Sequence, residues 1–369
     1  MTDRDYMLRA IELARGGLGW TSPNPLVGAV IVKNGRIIGE GYHERCGELH
    51  AERNAIASLT ESAEGATLYV TLEPCCHYGK TPPCTEAILE QKIARVVIGS
   101  RDPNPLVAGK GATILRAAGV RVEEDFMREE CDALNPVFFH YITKKTPYVV
   151  MKYAMTADGK IAARTGDSKW ITGESARKKV QELRHQYMGI MAGIGTVLAD
   201  DPMLNVRIPG LKSPVRIICD SGLRIPMDSQ LVKTAKEYRT IVAYAGEHSG
   251  EGCKEAEEKE EQLHAAGVET VSVPDADGRV DLGKLMEYLG KQGIDSVLLE
   301  GGGTLNDAAL SAGIVNEICA FIAPKIFGGA GAKTPVSGIG VAHPAEAVML
   351  TLKQMETIGD DLMLRYSVD

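Results

Sequence analysis

The sequence predicts an α/β protein in two successive domains, the first an α/β/α layer around a mixed sheet. Three observations carry this. Apolar runs of strand length alternate with amphipathic helical stretches along the whole chain. The chain has 369 residues, more than one ordinary core takes. Finally, the polar, proline-ended segment Lys144-Lys145-Thr146-Pro147 interrupts the pattern and puts a boundary near 145, giving domains 1–145 and 146–369.

Composition narrows the class. A hydrophobic share of 44% and a charged share of 24% are ordinary for a globular protein. No apolar run has the length of about 18 residues that a membrane span needs, and the charged N-terminus is followed by no apolar signal region, so a cytoplasmic protein is expected. The net charge of −8 argues against a nucleic-acid partner, which selects a basic face. Of eight cysteines only Cys75, Cys76 and Cys84 cluster, and no disulfide framework is expected.

The first half opens with a helical pattern over Asp5 to Arg15, stopped by Gly16-Gly17. The apolar run after Asn24-Pro25 ends at Asn34-Gly35, a hairpin turn, and Ile37-Ile38 begins the return strand. A helix over Ala51 to Leu59 and a strand over Thr67 to Leu72 follow. Cys84 opens a helix running to Gln91. Then come a strand at Arg95 to Gly99, a helix at Gly111 to Ala118 and a short strand at Val120 to Val122. One further helix is expected over Glu129 to Tyr141.

Within this half, His50-Ala51-Glu52 precedes Pro74-Cys75 and a second thiol, Cys84. A catalytic zinc takes three protein ligands and keeps a fourth position for water, whose pKa it lowers. One His and two Cys meet that need, and a neighbouring carboxylate that is not a ligand can carry the proton to a leaving amine. The pattern His-x-Glu, then Pro-Cys and a further Cys, marks zinc deaminases of nucleobases. His50, Cys75 and Cys84 are therefore the expected ligands and Glu52 the general acid/base. Cys76 and His77 are rival ligands, but adjacent cysteines diverge and seldom hold one tetrahedral metal together. A structural zinc is the alternative, though structural sites usually have four ligands in short paired spacings. Both thiols are expected near helix starts, where partial positive charge favours thiolate.

The second half reads as strands at Tyr148 to Met155, Gly189 to Ile194, Val215 to Asp220, Ile241 to Tyr244 and Val271 to Val273, with Ile161-Ala162 a brief continuation of the first. Helices are expected at Ser175 to Tyr187, Cys253 to Ala266 and Leu282 to Leu289. Ser296 to Leu299 then runs through Glu300-Gly301-Gly302-Gly303 into a helix, in outline a phosphate cradle. Strands at Glu317 to Ile322 and Leu362 to Tyr366 give an antiparallel finish.

Glu73-Pro74-Cys75-Cys76-His77-Tyr78-Gly79-Lys80-Thr81-Pro82-Pro83-Cys84, flanked by Asn24-Pro25-Leu26-Val27-Gly28 and Arg101-Asp102-Pro103-Asn104-Pro105, resembles the bifunctional deaminase/reductase family of riboflavin biosynthesis. Lys152, Asp158-Gly159-Lys160, Ser168-Lys169-Trp170-Ile171-Thr172, Val197-Leu198-Ala199-Asp200-Asp201-Pro202 and Glu300-Gly301-Gly302 resemble the reductase half of that family. The one departure near the zinc motif is Cys76, where the family has Ser. The resemblance implies a cytidine-deaminase-like first domain with one zinc, followed by a dihydrofolate-reductase-like domain that uses NADPH. It implies a phosphorylated pyrimidine substrate and a homo-oligomer, with no membrane partner. It places Asn24, His43, Lys80, Thr81, Asp102 and Asn104 around the deaminase substrate. Ala154, Trp170, Thr196, Asp200, Ser221, Gly302, Gly303, Thr304, Leu305, Asn306, Asp307 and Ala308 would line the cofactor. Ser168, Arg184, Leu204, Arg207 and Glu300 would line the reductase substrate, the two arginines being suited to fork onto phosphate. Two other readings stay open: a deaminase of a base within nucleic acid, and a second half that senses a nucleotide without turning it over.

Overall fold

The computed structural model describes residues 1–78, 82–104, 107–246 and 253–369, so Lys80 and Thr81 lie outside the described residues. The chain forms two compact units, Met1–Lys145 and Thr146–Asp369.

The first unit starts with α1 (Asp3–Ala14), capped by Thr2 in a capping box with Asp5. Next come β1 (Gly28–Lys33), β2 (Arg36–Tyr42), α2 (Ala51–Ala57), β3 (Thr67–Leu72), α3 (Cys84–Glu90), β4 (Arg95–Ser100), α4 (Lys110–Ala117) and β5 (Arg121–Glu123). Asn34 and Gly35 both take positive φ, as the two-residue turn between β1 and β2 requires. The sheet order is β2-β1-β3-β4-β5, antiparallel at β2/β1/β3 and parallel at β3/β4/β5. Alternation along the strands feeds two cores. Ala29, Ile31, Leu68 and Val96 meet Ala55, Ile88 and Leu115 on one face, while Val30, Val32, Tyr69 and Val97 meet Met7, Ala10 and Ile11 on the other. The result is helix, sheet, helix.

The single helix expected over Glu129 to Tyr141 is two, α5 (Arg128–Asp132) and α6 (Pro136–Lys144). Asn135 causes the break: buried beside Pro136, its side chain bonds both the N–H (2.7 Å) and the carbonyl (2.8 Å) of Leu26. Its amide serves a distant segment.

The second unit contains β6 (Tyr148–Thr156), α7 (Glu174–Gln186), β7 (Gly189–Gly193), α8 (Ile194–Asp200), β8 (Val215–Cys219), α9 (Gln230–Lys233), β9 (Thr240–Tyr244), α10 (Cys253–Ala265) and β10 (Glu269–Ser272). It continues with α11 (Leu282–Lys291), β11 (Ser296–Leu299), α12 (Gly303–Ser311), β12 (Val315–Ala323), β13 (Leu350–Ile358) and β14 (Asp361–Val368). Its nine strands run β10-β9-β8-β7-β11-β6-β12-β14-β13, parallel from β10 to β12 and antiparallel at β12/β14/β13. The parallel strands are apolar on both faces. One face packs on α11 and α12 through Leu285, Leu289 and Ala309, and the other on α8, α9 and α10 through Val197, Leu231 and Leu263. Ile161-Ala162 lies in turn structure rather than strand, and β13 is a strand the sequence pattern did not announce.

Candidate active sites

In the first unit, four segments leave the sheet at one edge. Tyr42 at the end of β2 pairs with Gly28 at the start of β1. The Gly28 N–H donates to Thr71 Oγ1 near the end of β3 (3.1 Å), and Leu72 pairs with Ser100 at the end of β4. The segments before β1, after β2, after β3 and after β4 therefore emerge together, carrying Asn24, His43, Cys75 and Asp102. This is the carboxyl edge of the parallel strands, where open α/β sheets place ligands. Helix α2 delivers His50 to the same edge as its N-cap. It lies close to β2 because Gly41 has no side chain: a Cβ there would sit 2.3 Å from the Ala55 nitrogen.

The Sγ atoms of Cys75 and Cys84 each lie 3.4 Å from His50 Nδ1, and the three donor atoms fall within 4.8 Å of one another. A tetrahedron with Zn–S about 2.3 Å and Zn–N about 2.0–2.1 Å has an S···N edge of about 3.6 Å, so the set fits zinc. Cys84 is the first residue of α3, as the motif leads one to expect. Cys75 is not at a helix start: it follows β3 by three residues. The helix reaches it nonetheless, because the Cys84 N–H is directed at Cys75 Sγ (3.4 Å). Hydrogen bonding from Cys84 and His50 holds the Cys75 thiol well below its ordinary value, against the opposing effect of burial. Glu52, 4% exposed, shares the first turn of α2. Burial pushes its carboxyl up, and the charge on Cys75 adds to that.

Around this centre, the Asn24 amide meets His43 Nε2 at 3.1 Å, while His43 Nδ1 faces the Leu49 carbonyl at 3.0 Å. With Asn24 as donor, one tautomer satisfies both contacts: Nδ1–H donates to Leu49 and Nε2 accepts. Burial lowers the His43 pKa, which keeps that neutral form, and its ring stands edge-on to His50 at 5.5 Å. Asp102 is buried, and its Oδ1 accepts from the Asn104 N–H at 2.8 Å.

Two residues with structural duties here had no local signal in the sequence. The buried Glu73 carboxylate accepts from the Gly109 N–H (3.0 Å) and the Ala112 N–H (3.3 Å), so it caps α4 from a point 36 residues away. Arg53 donates to the carbonyls of Pro82 (3.2 Å) and Pro83 (3.0 Å), fastening α2 to the segment that delivers Cys84.

In the second unit the carboxyl ends of β6, β7, β8 and β11 open on a cleft of about 1760 Å³. Ala154, Thr196, Asp200, Ser221, Gly302, Gly303, Thr304, Leu305, Asp307 and Ala308 line it, as do Ser168 and Glu300. Gly302 is the N-cap of α12, which points its first N–H groups at the cleft mouth. Trp170, Asn306, Arg184, Leu204 and Arg207 are not among the described lining residues. Trp170 is exposed and stacked beneath Arg177 at 4.6 Å. Asn306 is buried and donates to the Pro335 carbonyl (2.8 Å). Arg184 forks onto Glu300 instead of standing open to a phosphate. Leu204 is buried, and Arg207 is exposed, with its N–H donating to Gln181.

Known proteins share this arrangement. The cytidine and deoxycytidylate deaminase zinc-binding region matches residues 1–100, and the RibD C-terminal domain matches residues 147–364. The riboflavin biosynthesis protein RibD of Actinobacillus pleuropneumoniae is 59% identical over 368 residues, covering 100% of this chain and 96% of that one. A solved structure of Acinetobacter baumannii RibD superposes with a TM-score of 0.86 at 36% identity, covering 100% and 99%. A Thermotoga maritima structure, called a diaminohydroxyphosphoribosylaminopyrimidine deaminase/5-amino-6-(5-phosphoribosylamino)uracil reductase, superposes equally well, with a TM-score of 0.86 at 38% identity over 99% and 98%. A cytidine-deaminase-like unit holding a zinc donor set, followed by a reductase unit of the RibD type, makes this chain a member of the RibD family, the bifunctional deaminase/reductases of riboflavin biosynthesis.

Proposed function

We propose that residues 1–145 hydrolytically deaminate 2,5-diamino-6-(5-phosphoribosylamino)pyrimidin-4-one with release of ammonia. Residues 146–369 then reduce its ribosyl arm with NADPH to give 5-amino-6-(5-phosphoribitylamino)uracil. The observation that carries the first step is the His50, Cys75 and Cys84 donor set with buried Glu52 beside it.

His50, Cys75 and Cys84 would hold the zinc, which when bound supplies Lewis-acid activation of the attacking water. Glu52 takes the proton from that water and passes it to the leaving amine. Its raised pKa suits a group that must carry a proton at neutral pH. Asn24 and His43 on one side, and Asp102 and Asn104 on the other, orient the pyrimidine, with Lys80 and Thr81 assigned to its phosphorylated arm. In the second unit NADPH supplies the hydride. The α12 N-terminus and the glycines before it receive the diphosphate, and Ser168 with Glu300 faces the substrate arm. Arg184 supports that wall from outside the cleft through its fork on Glu300.

We further propose that the protein acts in the cytoplasm, where thiols stay reduced, with free phosphorylated pyrimidines rather than nucleic acid or membrane as its partners. No disulfide joins Cys46, Cys75, Cys76, Cys84, Cys131, Cys219 or Cys319, and no described helix is long and apolar enough to cross a membrane. Self-association is part of the reading. Support comes from edge strand β13, which carries exposed Leu352 and Met355 beside exposed Met349.

The test measures ammonia release and NADPH oxidation separately. Glu52→Gln abolishes the first and leaves the second intact when deaminated substrate is supplied. Loss of both activities would defeat the two-site reading.

A further inference from the structure

After β12 the chain runs through residues 324–343 without helix or strand, and part of this segment lines the cleft of the second unit. Its near end is fastened to the turn that follows β6. The Ala157 N–H donates to the Lys325 carbonyl at 2.9 Å. The Asp158 carboxylate then takes two consecutive N–H groups: Oδ1 accepts from Phe327 (3.1 Å) and Oδ2 from Gly328 (2.7 Å). Lys325 Nζ donates to the Trp170 carbonyl at 3.0 Å, which brings in the stretch that carries Ser168.

Asp158 is itself held in place. Thr156, fully buried at the end of β6, donates from Oγ1 to Asp158 Oδ1 at 2.5 Å and accepts there from the Lys160 N–H at 3.0 Å. The Thr156 hydroxyl, with the Gly328 and Phe327 N–H groups, holds the Asp158 carboxyl at about 2. The group is therefore ionised at any working pH, and an ionised acceptor makes the stronger hydrogen bonds.

The far end of the segment is fastened separately. The Ile161 N–H donates to the Lys333 carbonyl (2.9 Å), Asn306 Nδ2 to the Pro335 carbonyl (2.8 Å) and the Ser337 N–H to the Gly303 carbonyl (3.1 Å). Gly303 and Asn306 belong to α12, so these last two ties do not run through Asp158. Residues 327–337 thus form a strap from the turn after β6 to the first turn of α12, which follows β11. Strands β6 and β11 are neighbours, and the strap crosses the end of the cleft that Ser168 and Glu300 mark. Ala330, Gly331 and Lys333 line the cleft between its fastenings.

We propose that Asp158 is a positioning residue for the reduction: through Phe327 and Gly328 it holds the strap in the cleft wall, where the strap orients the arm being reduced. The inference rests on reduction in this cleft, as proposed above. The test compares the full-length wild type with Asp158→Asn and Asp158→Glu. Asp158→Asn lowers reductase kcat/KM for the deaminated substrate by about 10- to 100-fold, the order expected when a positioning wall shifts by about 1 Å. The NADPH dissociation constant, from calorimetry, changes by less than about twofold, because the α12 end of the strap keeps its own ties. The stoichiometry of that titration counts folded reductase units, so the rate is taken per binding site. Amide exchange over residues 324–334 quickens in Asp158→Asn while β6 and β11 stay protected. Asp158→Glu, which keeps the carboxylate, recovers most of the rate. Unchanged kcat/KM per site, unchanged exchange, an equal loss in NADPH affinity, or a variant with no NADPH-binding units overturns the role of Asp158 while reduction by the wild type stands. A wild-type chain that does not oxidise NADPH with deaminated substrate overturns both.

Discussion

Arg184 lays its guanidinium fork on Glu300, with Nε 2.7 Å from Oε1 and Nη2 3.0 Å from Oε2. Lys152 Nζ adds a third contact at 3.4 Å. The pair is largely buried, with side chains 13% and 11% exposed. Burial alone would push the Glu300 carboxyl up, but the two cations outweigh it and hold the pKa at about 2. The arginine that the sequence offered to a phosphate thus holds the carboxylate at the cleft wall.

Glu300→Gln should therefore cost stability, because it leaves Arg184 buried without its carboxylate. The expected loss is about 3–5 kcal/mol, read from urea unfolding. The pH dependence follows from the lowered pKa. The ion pair contributes fully above the ordinary carboxyl pKa of about 4.3, and its contribution is lost as pH falls toward about 2. In Glu300→Gln that part of the acid limb disappears. An unchanged unfolding midpoint in the variant would contradict the assignment.

Arg53 is expected to govern zinc affinity without touching the metal. It fixes the Pro82 and Pro83 carbonyls, and thereby the backbone leading into Cys84. Arg53→Ala lowers zinc affinity by about 10- to 100-fold in chelator competition. NADPH oxidation with deaminated substrate stays at the wild-type rate, since Arg53 belongs to the other unit.

Asp102 provides a titration within the deaminase site. Burial raises its carboxyl to about 6, against the hydrogen bond from the Asn104 N–H. Because the folded pKa lies above the unfolded one, the group favours the fold below about 4, and that contribution is lost as pH rises through about 6. The ionised form is the better acceptor for a pyrimidine amino group. Deaminase kcat/KM is expected to rise with pH through about 6, and Asp102→Asn flattens that limb.

What the sequence made legible was local chemistry. Asn34-Gly35 named its turn because only a few residue types tolerate positive φ at both positions. His50, Cys75 and Cys84 named a metal because thiolates and imidazole at these spacings have few other uses. Long-range pairings left no such trace. The duties of Asn135 toward Leu26, of Glu73 toward α4 and of Arg184 toward Glu300 span 109, 36 and 116 residues, and nothing near each residue announces its partner. Strand β13 left a weak trace for a different reason: the alternation of Leu350 and Leu352 is cut short by the bulge between Leu352 and Gln354, which puts Met355 out of phase.

The place of β6 in its sheet orders events during synthesis. It is among the first parts of the second unit to leave the ribosome, yet its two neighbours, β11 and β12, begin at Ser296 and Val315. A nascent chain ending at Lys145 already holds all five strands of the first sheet. One ending at Ile294 has β6 in hand with neither flanking strand to pair it. Strands β7 to β10 can pair with one another in the meantime, but β6 must wait, exposed, for a late arrival. Holding factors that bind extended apolar chain therefore have their longest window on β6, after the zinc site has already closed.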